Sequence, residues 1–393
     1  MQVTPSVVNL GRLQPVVLGL GIIGIVGAVI GLFISAEAFF QSYLFAFLFW
    51  LGLALGCLVL LLVVHVAGGS WGAVIRRPLE AGVSVLPLMA LLFIPILLGV
   101  RSLYVWTGAE YLATHPTVAN KVDLYLNIPF FISRAAAYFV MWVGGALIFL
   151  RLSSRQDARE AESGRIGYQM KSMAGIWIVI YILTMTFAAV DWSMSLTPTW
   201  WSGIYGVIMM IGQAITGMAF IILVMVALAR RNRQVNELLT AKRLQDLGNF
   251  LMAFTMFWAY TSFSQLIILW SNNTLETASW YTLRLGPGWN SVAAFLLFFG
   301  FFAPFLILFS RWVKRKRQAL TLVAIWALVV QAINLFWFII PTFERSGFQL
   351  SILDVALFVG IGGLWLWTFA RSLGSRSILP LHDPRLAGVK HHG

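Results

Sequence analysis

Two basic and two acidic side chains fall inside long apolar stretches of this sequence: Arg101, Arg134, Asp191 and Asp354. A charge near the centre of a hydrocarbon layer costs roughly 2.5–3.5 kcal/mol even on lenient insertion scales, so such groups pair or line an ion or proton path. At similar depth the four can neutralise one another, with Arg101 and Arg134 as the cations of an intramembrane ion-pair network. Proton transfer is the other chemistry open to them. Tyr181, Thr184 and Asp191 recur at spacings that line them up on one helical face, and Thr255, Ser262 and Gln265 form a similar stripe. Hydroxyl and amide groups along a helix can hold water and lead protons to a carboxylate, although they also bond helices together. Earlier in the sequence, His65 and Glu80 flank Arg76 and Arg77. An imidazole with an ordinary pKa of about 6.5 passes protons at neutral pH, so His65 and Glu80 read as the inner mouth of a path, or as interface residues satisfied by the two arginines. The proton-path candidates are therefore His65, Glu80, Tyr181, Thr184, Asp191 and Asp354.

Redox ligands are scarce. A single cysteine, Cys57, leaves no way to build a disulfide, an iron–sulfur cluster or a covalently attached c-type haem within the chain. Of the five histidines only His65 lies near a predicted span; His115 falls in a loop, and His382, His391 and His392 fall in the C-terminal tail. The expectation is a chain with no catalytic residue, cofactor or metal site of its own.

The elements that must position these groups follow from composition. With 60% hydrophobic and 10% charged residues over 393 positions, and a mean hydropathy of +0.86, the chain cannot be a water-soluble globule. Ten apolar runs are long enough to cross a bilayer, at approximately 13–35, 43–67, 84–106, 127–151, 173–195, 203–229, 248–271, 290–313, 319–341 and 350–373. The predicted fold is an all-α polytopic membrane protein forming a single integral domain, with a tail at 374–393. No cleavable signal is evident, because the first apolar run is long and leads into a second. Setting aside the first and last helices leaves eight, enough for two four-helix bundles. Gly27-x-x-x-Gly31 and Gly52-x-x-x-Gly56 predict close helix approach, and Pro95 and Pro304 predict kinks.

The formal charge of +13 is a topology signal. Of 27 Lys and Arg, 22 fall at the N-terminus (Arg12), in the even loops and in the tail (which includes Lys390), whereas the odd loops hold Lys121, Arg284 and Arg345. By the positive-inside rule both termini are cytoplasmic. The basic clusters flank helix ends, where they meet anionic lipid head groups, and do not interleave with aromatics as a nucleic-acid surface would.

Three patches carry a family resemblance. The stretch Tyr43 to Glu80, with Phe49-Trp50, Leu55-Gly56, His65, Gly68-Gly69, Trp71-Gly72 and Arg76-Arg77-Pro78-Leu79-Glu80, resembles the ActF membrane subunit of bacterial alternative complex III. So do Asp191-Trp192-Ser193-Met194-Ser195-Leu196-Thr197-Pro198-Thr199-Trp200, followed by Tyr205-Gly206, and the tail motif His382-Asp383-Pro384-Arg385-Leu386. The resemblance covers nearly the whole chain. It implies an NrfD/PsrC-like fold of two four-helix bundles with flanking helices, in the plasma membrane. It further implies a place in a quinol:acceptor oxidoreductase beside an NrfD-like ActC-type subunit, with haem c and iron–sulfur clusters on other subunits. In this family the quinone site lies with the ActC-type partner, and ActF is viewed as a structural and proton-conducting subunit; the matching positions here are His65, Glu80 and Asp191. Two other readings stay open: a purely structural anchor whose charges only pair, and a secondary transporter, for which matched inverted halves are expected but not evident.

Overall fold

In lipid every backbone polar group must be satisfied internally, which leaves the helix as the spanning element for a chain of this pattern. The computed structural model describes residues 11, 13–272, 274–343 and 347–387; Arg12, Arg345, Lys390, His391 and His392 lie outside the described residues. Among the described residues ten helices are long and apolar enough to cross a membrane, so the chain is an all-α multi-pass membrane protein. They are α1 (Leu13–Ile34), α2 (Ala36–Ala67), α3 (Ser70–Leu98, in segments), α4 (Ile128–Ala158), α5 (Ser163–Trp192), α6 (Tyr205–Arg231), α7 (Ala241–Asn272), α8 (Trp289–Phe309, in segments), α9 (Arg317–Ile339) and α10 (Ile352–Gly374). The end where the C-terminal segment lies is called the tail side below, and the opposite end the far side.

Contacts between elements sort the eight inner helices into two rings of four. In one, α2, α3, α4 and α5 pack in turn; in the other, α6, α7, α8 and α9 do. α2 and α6 join the rings along the centre, and α1 lies outside against α10. Small residues permit both close approaches. A Cβ on Gly24 would stand 2.5 Å from the Gly360 backbone, and one on Gly21 within 3.2 Å of Gly363. A Cβ on Gly56 would collide with the Gln213 carbonyl of α6. The predicted Gly52/Gly56 contact is therefore present, whereas of the expected pair on α1 only Gly31 meets α10, against the Leu353 side chain; Gly21 and Gly24 make the backbone approaches, and Gly27 faces open space.

Prolines shape two spans. α3 begins at Ser70 and carries Arg76, Arg77 and Glu80 in its opening segment, earlier than the expected start at 84. Pro87 and Pro95 each sit in the first turn of a new segment, where the missing N–H costs nothing. The break frees the Leu92 carbonyl, which accepts a hydrogen bond from the Tyr43 hydroxyl at 2.7 Å. In α8, residues Leu296–Phe302 form a π-helix. In that i→i−5 register Pro304, lacking an N–H, leaves the Phe299 carbonyl free, and Trp326 Nε1 donates to it at 2.8 Å.

Candidate functional site

On the tail side, charges that would be prohibitive alone are buried as a balanced set. Glu80 accepts from Arg76 Nε at 2.8 Å and Arg77 Nη1 at 2.6 Å. Arg76, fully buried, also donates to Gln156 Oε1 at 2.7 Å and Asp383 Oδ2 at 3.0 Å. Arg77 reaches Ser153 at 2.8 Å and pairs with Asp157. Arg385 closes the set, bonding Asp383 through Nη2 at 2.6 Å and the Val64 carbonyl at 3.0 Å. Three arginines thus face three carboxylates. Burial pushes the Asp383 carboxyl up, but the hydrogen bonds and charge of Arg385, with the charge of Arg76, outweigh it and hold the group at about 2. The backbone of the same segment is tied down as well: Ser163 donates to the His382 carbonyl, and Leu381 N donates to Asp157 at 3.2 Å. His65 is buried, stacks on Phe149 at 5.6 Å between centroids, and lies within electrostatic reach of Arg76, Arg385, Glu80 and Asp383.

On the far side, Arg134 of α4 grips Asp191 of α5 with two parallel bonds, Nε to Oδ2 at 2.9 Å and Nη2 to Oδ1 at 2.8 Å, the fork geometry that guanidinium offers carboxylate. The Tyr138 hydroxyl adds a third bond to Asp191 Oδ2 at 2.8 Å. Arg134 also donates to the Tyr125 carbonyl at 2.9 Å and lies 3.8 Å from the centroid of that residue's ring. Asp191 is fully buried, and both its oxygens are occupied. Nearby, Ser195 donates to the Asp191 carbonyl, and the Ser193 and Tyr205 hydroxyls share a bond of 2.5 Å.

Between these clusters the interior is partly polar. Tyr181 donates to Gln213 Oε1 at 2.7 Å, and Trp142 Nε1 donates to Thr184 at 2.9 Å. A cavity of about 50 Å³ lies between α2, α5, α6 and α9, lined by Ser193, Gln213, Thr216, Gln331 and Asn334 among apolar side chains, with room for about three waters. The polar interior does not extend to the tail side. Inward-facing positions of α5 between Ser163 and Tyr181 are Ile166, Met170 and Ala174, and Met170 to Tyr181 alone spans about 16 Å at the helical rise.

Of the sequence-derived candidates, the structure brings Arg134 and Asp191 together, and places His65 beside Glu80. Tyr181 and Thr184 lie on the face that Asp191 continues, each engaged by a different neighbour. Asp354 stands apart as the N3 residue of a capping box: it accepts from Ser351 N at 2.8 Å at the start of α10. Arg101 is exposed and makes no salt bridge among the described residues, so the four-charge network does not form. The expected span 84–106 carried Arg101 into the membrane on paper; the helix breaks instead, and Arg101 lies in the short turn Val100–Leu103.

Sequence reasoning missed Tyr138, Gln156, Asp157, Gln213, Gln331 and Asn334. It also read Arg284 as a loop marker, yet that side chain is buried, 3.8 Å from the centroid of the Trp280 ring, donating to the Trp280 carbonyl at 3.0 Å, the Thr342 hydroxyl at 3.0 Å and the Phe338 carbonyl. Burial lowers its pKa to about 9. Among the described residues no three His, Cys, Asp or Glu side chains gather as a metal-binding group. In comparison with known proteins, neither a family model nor a curated protein matches the chain.

Proposed function

We propose that this chain is an integral membrane subunit of a quinol-oxidising electron-transfer complex of the bacterial plasma membrane, with both termini cytoplasmic and no redox centre of its own. Its neighbours in that reading are an NrfD-like ActC-type subunit and subunits bearing haem c and iron–sulfur clusters, and quinone is oxidised on the partner. Its own work is to carry the released protons toward the far side, and the observation that carries this reading is the small cavity, with Ser193, Gln213, Thr216, Gln331 and Asn334 in its wall, beside the Tyr181–Gln213 pair.

The chemistry is a relay of neutral groups. A hydroxyl or a water can accept one proton while passing on another, and the Tyr181 hydroxyl, the Gln213 amide and water in the cavity offer such a chain. Ser193 lines the cavity and shares a bond with Tyr205, which extends the chain of hydroxyls toward the far side. Met170, Ala174 and the leucines of α2 form an apolar seam that holds the tail side apart. Protons therefore leave on one side and are not returned to the other.

A purely structural role is the second reading, and a specific observation favours it for Asp191. Two guanidinium bonds and a tyrosine hydroxyl saturate the carboxylate, so Asp191 holds α4 to α5 and leaves the relay to Tyr181 and Gln213. In the same way Glu80 holds Arg76 and Arg77 of its own helix, and those arginines fasten α3 to Asp383 of the C-terminal segment and Asp157 of α4.

Membership of a complex is tested by isolating the tagged chain from its native membranes in mild detergent. The expected result is co-isolation with haem c absorption and quinol:acceptor activity. A chain that elutes alone, or with neither, contradicts the proposal.

A further inference from the structure

The two rings end differently on the tail side. Beneath the ring of α2 to α5, Arg76, Arg77 and Arg385 face Glu80, Asp157 and Asp383. Beneath the ring of α6 to α9, segments 230–247 and 310–317 carry ten Lys and Arg against two carboxylates, Glu237 and Asp246. These segments form one surface: Arg311–Arg315 is a short helix packed on α7, and Arg317 donates to the carbonyls of Asn236 and Leu239, each at 3.1 Å. Glu237 pairs with Arg233 at 2.9 Å, and Asp246 lies within electrostatic reach of Lys242 and Arg243. Arg311, Lys314, Arg315 and Lys316 are left without a carboxylate partner among the described residues.

Topology alone asks for cations at such helix ends, but not for a buried one. Lys314 is 5% exposed. Its stem crosses Gly248 of α7, where an added Cβ would stand 2.7 Å from Lys314 Cγ, so the absence of a side chain at 248 makes room for the lysine. The ammonium makes no hydrogen bond or salt bridge among the described residues, yet it is not one of the side-chain nitrogens closed off without a partner, so it opens at the surface. Arg311, one turn back on the same face, adds a like charge, and burial together with that charge pushes the Lys314 pKa down. Two cations held together with no counter-charge in the chain repel, and an anion from outside removes that cost.

The surroundings of these cations select a lipid. Trp312 is exposed among them, and Lys316 Nζ lies 4.0 Å from the centroid of its ring, the setting of tryptophan at a head-group layer. Leu306 and Phe309, exposed on the last turns of α8, continue an apolar surface from there into the span. A phosphate against the cations and acyl chains along the helix occupy both features at once. Four unmatched cations exceed the single charge of one phosphate, and a lipid with two phosphates fills two places for the immobilisation of one molecule. We propose that this surface is a specific site for a diphosphatidylglycerol (cardiolipin) head group, with one phosphate at Arg311 and Lys314, the other at Arg315 and Lys316, and acyl chains along Leu306 and Phe309. The site needs neither the proton reading nor a partner subunit.

The test titrates the full chain, purified in detergent, with cardiolipin, phosphatidylglycerol or phosphatidylethanolamine and counts bound lipid by native mass spectrometry. Cardiolipin is expected to bind about tenfold tighter than phosphatidylglycerol, with phosphatidylethanolamine weakest. Lys314→Met, which keeps the stem over Gly248 and removes the charge, should weaken cardiolipin about fivefold. Arg311→Gln with Arg315→Gln, both at exposed positions, should weaken it about twentyfold, and this pair gives the answer if Lys314→Met fails to fold. The control is Arg159→Gln with Arg165→Gln, which removes the same charge from the tail side of the other ring, where both arginines pair with Glu162; it should change the affinity by less than about twofold. Equal affinity for cardiolipin and phosphatidylglycerol, an equal loss in the control, or variants that bind like wild type each overturn the proposal. So does a chain that ignores cardiolipin but binds a polyglutamate peptide, the behaviour of a surface for an acidic protein.

Discussion

Asp191→Ala is expected to destabilise the folded chain by about 3–5 kcal/mol, the usual cost of leaving one member of a buried ion pair without its partner. The stranded group would be Arg134, whose side chain is 10% exposed and which pairs with no other carboxylate among the described residues. Tyr138 would lose its acceptor at the same time. Replacing both members by apolar residues, Arg134→Met with Asp191→Leu, should recover most of the loss, because a well-packed apolar pair avoids the desolvation of both charges. Unfolding curves in detergent measure this. A single substitution within about 0.5 kcal/mol of wild type, the range of an ordinary surface change, would contradict the pairing.

Glu80→Ala should have an effect of similar size, about 3–5 kcal/mol, because one carboxylate serves two buried guanidiniums. Asp157 and Asp383 remain for Arg77 and Arg76, which limits the loss. Glu80→Gln, which keeps an acceptor of the same shape and removes the charge, should fall between wild type and Glu80→Ala. The readout that separates this cluster from mere packing is the C-terminal segment. With Glu80 gone, Arg76 and Arg77 are held less firmly, so Asp383 and, through Asp157, Leu381 lose part of their anchorage, and protease cleavage near Leu381 should become faster in Glu80→Ala than in Asp191→Ala.

The two clusters also show what a membrane sequence reveals. Arg134 and Asp191 stood out because a charge inside an apolar run has few physical explanations, but similar depth alone did not single out this pair from the four charges. Ten spans were legible for the same reason: lipid imposes length and hydropathy on each segment separately. The tail-side cluster was harder to read. Arg76, Arg77 and Glu80 look like a loop because three charges within five residues lower local hydropathy. Their burial depends on Gln156, Asp157 and Asp383, the last of them 307 positions from Arg76, and nothing local marks those partners. The segment His382 to Leu386 reads as solvated tail for the same reason, although Asp383 is 5% exposed. Arg101 went the other way: hydropathy carried the third helix through it, whereas Pro87 and Pro95 reset the segments so that it ends exposed. Gln213, Gln331 and Asn334 are uncharged amides scattered over α6 and α9, and only the packing of α2 against α6 and α9 brings them around one cavity.

That cavity is where the functional claim is most exposed to test. Reconstitute the complex containing this chain into sealed vesicles, drive it with quinol, and count protons released on the far side per quinol oxidised, comparing wild type with Gln213→Leu. The apolar replacement keeps the helix and removes the acceptor of Tyr181. A relay through the cavity predicts a clear fall in proton yield per quinol in Gln213→Leu with assembly intact. An unchanged yield at normal turnover would contradict it and leave the chain as a scaffold held by its two charge clusters.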